Sequence, residues 1–135
     1  MTYEEVVVGV EVDHREFEIT PEMQRSYLEA LEDNNPLYTK EDSGRGPIAH
    51  PILILNRGFA SGWIGSFPQH IHAKNYVRFL NSTTVGKRIF ARSKVSDKYI
   101  RRGRKYVTTE FVCVDEDGKE LLRCSWTETH GTVDK

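Results

Sequence analysis

An α+β fold, with an antiparallel sheet wrapped around one long central helix, is the architecture this chain predicts. Three observations predict it. A stretch that is apolar almost all round opens at Pro51. Four runs rich in β-branched and aromatic residues follow one another after Pro68. Turn sequences then join the last of these runs as hairpins. A buried helix followed by a long meander is the pattern of a sheet curled over that helix. At 135 residues the chain suits one domain spanning 1–135, large enough for a core and too short for two.

Taken in order, Val6–Val12 and Arg15–Ile19 read as extended stretches. Thr20-Pro21-Glu22 is a helix start, with threonine as N-cap and proline at the first helical position. Met23, Tyr27, Leu28 and Leu31 follow at helical spacing, and Asn34-Asn35-Pro36 breaks the pattern near Asn34. Residues 39–47 form a polar, glycine-containing loop, in which Gly44-Arg45-Gly46 is too short to cradle a phosphate. The central helix then runs from Pro51 to about Gly65; Gly58, Ala60, Ser61 and Gly62 make sense where a sheet must approach closely. Strands are expected over Ile71–Leu80, Arg88–Ile100, Lys105–Val114 and Lys119–Thr129. Arg101–Arg104 and Asp115–Gly118 are the turns between the last three.

Composition narrows the function. A net charge of −1 gives no general attraction to nucleic acid or to an anionic membrane. No apolar run approaches the roughly 20 residues that span a bilayer. The acidic start, Met1-Thr2-Tyr3-Glu4-Glu5, lacks the layout of a signal peptide, so a cytoplasmic protein is expected. Cys113 and Cys124 lie in neighbouring strand-like runs without metal-ligand spacing and read as reduced thiols.

The segment Asp33-Asn34-Asn35-Pro36-Leu37-Tyr38, followed by Pro47-Ile48-Ala49-His50-Pro51 and the apolar helix, carries the chemistry. It resembles the hydratase motif of MaoC-like hot-dog proteins, in which the pattern is Asp-x-Asn-Pro-x-His. The strand Ile71–Phe79, the loop Thr83–Lys87 and the two later hairpins look like the landmarks that follow in that family, and the likeness covers roughly residues 5–130. It implies the hot-dog fold and reversible water addition to a 2-enoyl thioester of coenzyme A or acyl carrier protein, with no cofactor and no metal. Hot-dog domains of this type pair side by side, which implies a homodimer or a heterodimer with another hot-dog subunit.

Such a reaction needs a base, an acid for the hydroxyl, and donors for the enolate-like thioester oxygen. By resemblance Asp33 is the acid–base group, and Asn35-Pro36 forms the turn that shapes the motif. Tyr38 stands where the family has histidine; a phenol does not share protons near neutrality as an imidazole does, but it can donate a hydrogen bond. Pro51 stands where many catalytic members have glycine and brings no N–H, which leaves the amides of Ile52 and Leu53 to polarise the carbonyl. His50 adjoins the helix start, as a structural residue or as a replacement imidazole. On their residues alone, Asp33 caps a turn and Tyr38 packs.

Arg101, Arg102 and Arg104 form the sharpest basic cluster, either a solvated turn or a contact for coenzyme A phosphates or an acidic carrier protein. His70 and His72 would share one strand face without an evident third ligand. Trp63 and Phe67 fit either an acyl tunnel or core packing. The expected function is therefore a MaoC-like hydro-lyase. The alternatives are a non-catalytic hot-dog subunit that shapes a partner's acyl pocket, and an acyl thioesterase. Asn35-Pro36 after Asp33 favours the hydratase over the thioesterase, and Tyr38 favours the subunit over an autonomous enzyme.

Overall fold

Five strands and two α-helices make up the computed structural model, which describes residues 2–40, 46–59, 63, 67 and 69–130. The strands are β1 (Glu11–Glu18), β2 (His70–Phe79), β3 (Arg88–Arg101), β4 (Arg104–Asp115) and β5 (Glu120–His130). The helices are α1 (Pro21–Leu31) and α2 (Pro51–Gly58). All strand pairs are antiparallel, in the order β1-β3-β4-β5-β2, so β1 and β2 form the edges. With α2 packed on β3 and β4, this is the hot-dog arrangement.

The N-terminal stretch departs from expectation. Val6–Val10 does not join a strand: Gly9 has φ +90, and only the strand from Glu11 onward pairs fully with β3. Val6 is nonetheless buried, while Val7, Val8 and Val10 are exposed. The α1 start is as read, with the Thr20 side chain accepting the Met23 amide at 3.1 Å and Pro21 following it. Its end comes earlier than Asn34, because Glu32 adopts a left-handed conformation (φ 54) and closes the helix after Leu31.

The central helix is also shorter than expected. Phe59 is extended and ends α2 at Gly58, where its ring packs on Trp126 with centroids 4.1 Å apart. Residues 60–62 and 64–66 of the expected helix, like Gly44 and Arg45 of the polar loop, lie outside the described residues. Gly58 is placed by close approach: a Cβ there would stand 2.6 Å from the Cys113 sulfur and 3.3 Å from the Phe111 ring. Ile54, Ile89, Ala91, Phe111, Cys113, Leu121, Leu122 and Cys124 form the main core between α2 and the sheet. Burial pushes both thiols up, Cys113 to about 12 and Cys124 to about 11, so neither is a ready nucleophile. Phe67 belongs to a second core with Val6, Val95 and Val107, and Trp63 packs edge-on against it. No helix among the described residues is long and apolar enough to cross a membrane.

The inner face of β5 ends in polar residues that the core nevertheless encloses. Glu128 is 1% exposed and His130 4%, and among the described residues neither Glu128 Oε2 nor either His130 ring nitrogen has a hydrogen-bond partner. Burial raises the Glu128 carboxyl to about 7, opposed by His70, and burial lowers His130 to about 4 with His70 adding to it. An acid raised on folding contributes stability below its unfolded pKa and loses it as pH rises through the folded one. A histidine lowered on folding loses stability as pH falls from its unfolded value toward the folded one. Glu128→Gln should therefore gain on the wild-type protein by roughly 2–3 kcal/mol between pH 5 and pH 8. Urea unfolding of both proteins at the two pH values measures it; a pH-independent difference would mean that Glu128 titrates normally.

Candidate active site

The motif segment folds into two consecutive turns at the end of α1. The Asp33 amide donates to the Leu28 carbonyl at 2.9 Å, and Asp33 Oδ1 accepts the Asn35 amide at 2.9 Å. Asn35 then caps the 3₁₀ turn Pro36–Tyr38 by accepting the Leu37 amide at 3.1 Å. One Asp33 oxygen is thus spent on the turn, and Oδ2 makes no hydrogen bond to a described residue. Asp33 and Tyr38 are half-buried; Asn35 is exposed and acts on the backbone alone.

Gln24, which lies outside the apolar stripe expected of α1, ties this segment to the central helix. It is 2% exposed. Its Nε2 donates to the carbonyls of Tyr38 (2.8 Å) and Ile48 (2.7 Å), and its Oε1 accepts the His50 amide at 2.7 Å. One side chain on α1 therefore holds the 3₁₀ turn, the strand-like segment at Ile48 and the start of α2. Thr83 supports the same segment, accepting the Ala49 amide with its carbonyl while its hydroxyl donates to the Asp115 carboxylate at 2.9 Å.

His50 is the N-cap of α2. Its Nδ1 accepts the Ile52 amide at 3.2 Å, and its ring packs between Tyr27 and Tyr38, with centroids 4.9 and 4.6 Å away. Burial lowers its pKa, and the nearby Asp33 charge partly opposes that. The two amides expected to polarise a carbonyl are both engaged: Ile52 N–H by the His50 ring, and Leu53 N–H by the His50 carbonyl at 3.1 Å. A histidine cap takes up the donor that Pro51 leaves next in line.

Tyr38 divides two clefts. On one side a cleft of about 890 Å³ is lined by polar Gln24, Arg25 and Asp33 together with apolar Leu28, Pro47 and Val85. On the other, a recess of about 320 Å³ is lined by Leu37, Ile48, Pro51, Ile54, Phe79 and Leu121, nearly all apolar. An acid and a slot for a hydrocarbon chain thus meet at one phenol. A further recess on the outer sheet face, between Phe90, Arg92, Glu110 and Arg123, touches none of the motif residues.

Arg101, Arg102 and Arg104 are not brought to this place. The motif lies beside Gly86, whose amide bonds the Ile19 carbonyl, near the Arg88 end of β3. The arginine turn is at the other end of that strand, roughly 40 Å away along its length. Within one chain these cations stand apart from Asp33. His70 Nδ1 donates to the Phe67 carbonyl (2.8 Å) and His72 stacks on Trp126 (3.8 Å), and among the described residues no three His, Cys, Asp or Glu side chains are grouped to hold a metal.

Comparison with known proteins agrees with this fold. The (R)-hydratase from A. caviae involved in PHA biosynthesis superposes with a TM-score of 0.78 at 17% identity, over 95% of this chain and 99% of that one. The monoamine oxidase regulatory protein from Archaeoglobus gives 0.80 at 19%, over 99% and 96%. The HadBC 3R-hydroxyacyl-ACP dehydratase complex from Mycobacterium tuberculosis gives 0.69 at 16%, over 88% and 92%. At these identities the likeness establishes the fold. By sequence, no curated protein matches the chain. The model of the FAS1-like, dehydratase domain region does match, over residues 6–123. A match of that extent, on a chain with the hot-dog fold, shows that it belongs to the family of the FAS1-like, dehydratase domain region.

Proposed function

We propose that this protein is a hydro-lyase that adds water to 2-enoyl thioesters, and removes it from 3-hydroxyacyl thioesters, of coenzyme A or acyl carrier protein. The observation that carries the reading is the placement of Asp33, half-buried and with one carboxylate oxygen bonded to no described residue, in a cleft that an apolar recess adjoins across Tyr38. In hydration, Asp33 Oδ2 takes a proton from water as the water oxygen bonds C3. The C2=C3 pair shifts toward C1, and the carbonyl pair moves onto oxygen as an enolate. The enolate then collapses, and Asp33 returns its proton to C2. Tyr38, between the clefts, donates a hydrogen bond to the water or to the product hydroxyl.

A second reading rests on the tyrosine itself. A chain without the motif histidine can serve as the non-catalytic half of a pair whose partner carries Asp and His. The fold offers a place for such a partner: edge strand β2 pairs only with β5 and exposes Ile71, Tyr76 and Phe79. A homodimer or a heterodimer of hot-dog subunits would cover them.

Turnover decides between the two readings. Purified protein is offered a panel of enoyl-coenzyme A substrates of increasing length, and loss of the enoyl absorbance is followed. Hydration by the protein alone supports the enzyme. A folded protein inert on every member of the panel argues for the accessory subunit.

A further inference from the structure

The helix start beside Asp33 is usually where a thioester oxygen would find its donors, yet here the nearest amides are unavailable. Position 51 is proline, the Ile52 amide points into a histidine ring, and the Leu53 amide bonds a backbone carbonyl. The side chain beside them is His50, whose ring lies against Tyr38, the residue shared by the two clefts. Because Nδ1 accepts an N–H, the neutral ring must carry its proton on Nε2. Nε2 makes no hydrogen bond to a described residue and is not among the sealed polar atoms. The ring is also held in place: Gln24 fixes its backbone amide, Tyr27 meets it edge-on and Tyr38 lies tilted against it.

We infer that His50 is the oxyanion donor of this site, a neutral imidazole whose Nε2–H bonds the thioester carbonyl oxygen as it becomes an enolate. This rests on the hydratase reading above. The polarity of the helix start is not lost with the glycine; it passes through the ring, since a donor at Nδ1 makes the Nε2 proton more acidic. A neutral donor is well matched to the task, because Asp33 remains free to be the base and no full proton need be given up to oxygen. No proton leaves His50 in the cycle: the hydrogen bond strengthens at the enolate and relaxes at the product.

His50→Asn tests this while keeping the cap, since asparagine caps a helix as well as any residue but lacks the distant ring N–H. The expected result is a fall of about 10²–10³-fold in kcat on enoyl-coenzyme A, with KM changed a few-fold at most, in a protein that is still folded at the assay temperature although its melting point drops with the lost ring packing. In the wild-type protein, a long-range proton–nitrogen NMR spectrum should show His50 protonated at Nε2 and bare at Nδ1. His50→Asp, also a good cap, repeats the kinetic test should the asparagine variant fold poorly. An active wild-type protein whose His50→Asn form keeps its kcat, or a ring protonated at Nδ1, overturns the inference and leaves the hydratase reading standing. A wild-type protein that hydrates no enoyl thioester overturns the reading, and the inference with it.

Discussion

Asp33→Asn should lower hydration of an enoyl thioester by about 10²–10⁴-fold while leaving the fold intact. The substitution is chosen for what it keeps. Asparagine retains Oδ1, and with it the bond from the Asn35 amide that closes the turn after α1. It is also at home in such turns, so the backbone gains no strain. What it loses is the charge and the proton-accepting ability of Oδ2, which are the properties that the proposed step uses. The observed outcomes separate cleanly. Lost turnover at an unchanged melting point assigns chemistry to the carboxylate. Unchanged turnover with a lowered melting point assigns it to the turn alone, and the active residues must then be sought in a partner chain. Asp33→Ala should lose both, since it removes the cap as well as the base.

The order in which the site was legible follows from the physics of each part. The start of α1 and the four later strands were readable because capping, proline and β-branched runs act locally, within a few residues. The Asp33–Tyr38 segment was readable because the motif is contiguous. The buried face of α1 was less so. Met23, Tyr27, Leu28 and Leu31 marked an apolar stripe, but the structure buries Gln24 and Leu28 and leaves Leu31 52% exposed. Polar Gln24 turns inward because three backbone groups from distant segments converge on it, and no pattern within α1 announces them. Glu128 and His130 escaped for a similar reason: the end of β5 reads as a polar strand, while the second core folds over it. The engaged amide of Ile52 depends on a side-chain rotamer of His50, which sequence does not record.

Gln24 is the residue whose replacement should cost the fold most. Gln24→Met keeps nearly the same volume and removes every hydrogen bond, leaving the His50 amide and the Tyr38 and Ile48 carbonyls without their partner. Each such buried group costs about 1–3 kcal/mol, so a loss of roughly 3–5 kcal/mol is expected, a large share of a typical domain's stability. Chemical denaturation of the two proteins measures it directly, and a loss below about 1 kcal/mol would show that water replaces the amide without penalty. Gln24→Glu is the sharper companion. A carboxylate can still accept the His50 amide, but it turns an acceptor toward two carbonyls that need a donor. Folding then favours the protonated acid, so its folded pKa rises and stability should be regained as pH falls, opposite to the usual behaviour of a carboxylate that is paired in the native state. The same substitutions loosen the His50 backbone, and with it the ring that Ile52 and two tyrosines hold in place. At sub-denaturing temperature Gln24→Met should therefore lose kcat before it loses substrate binding, because a displaced donor weakens the transition state more than the ground state.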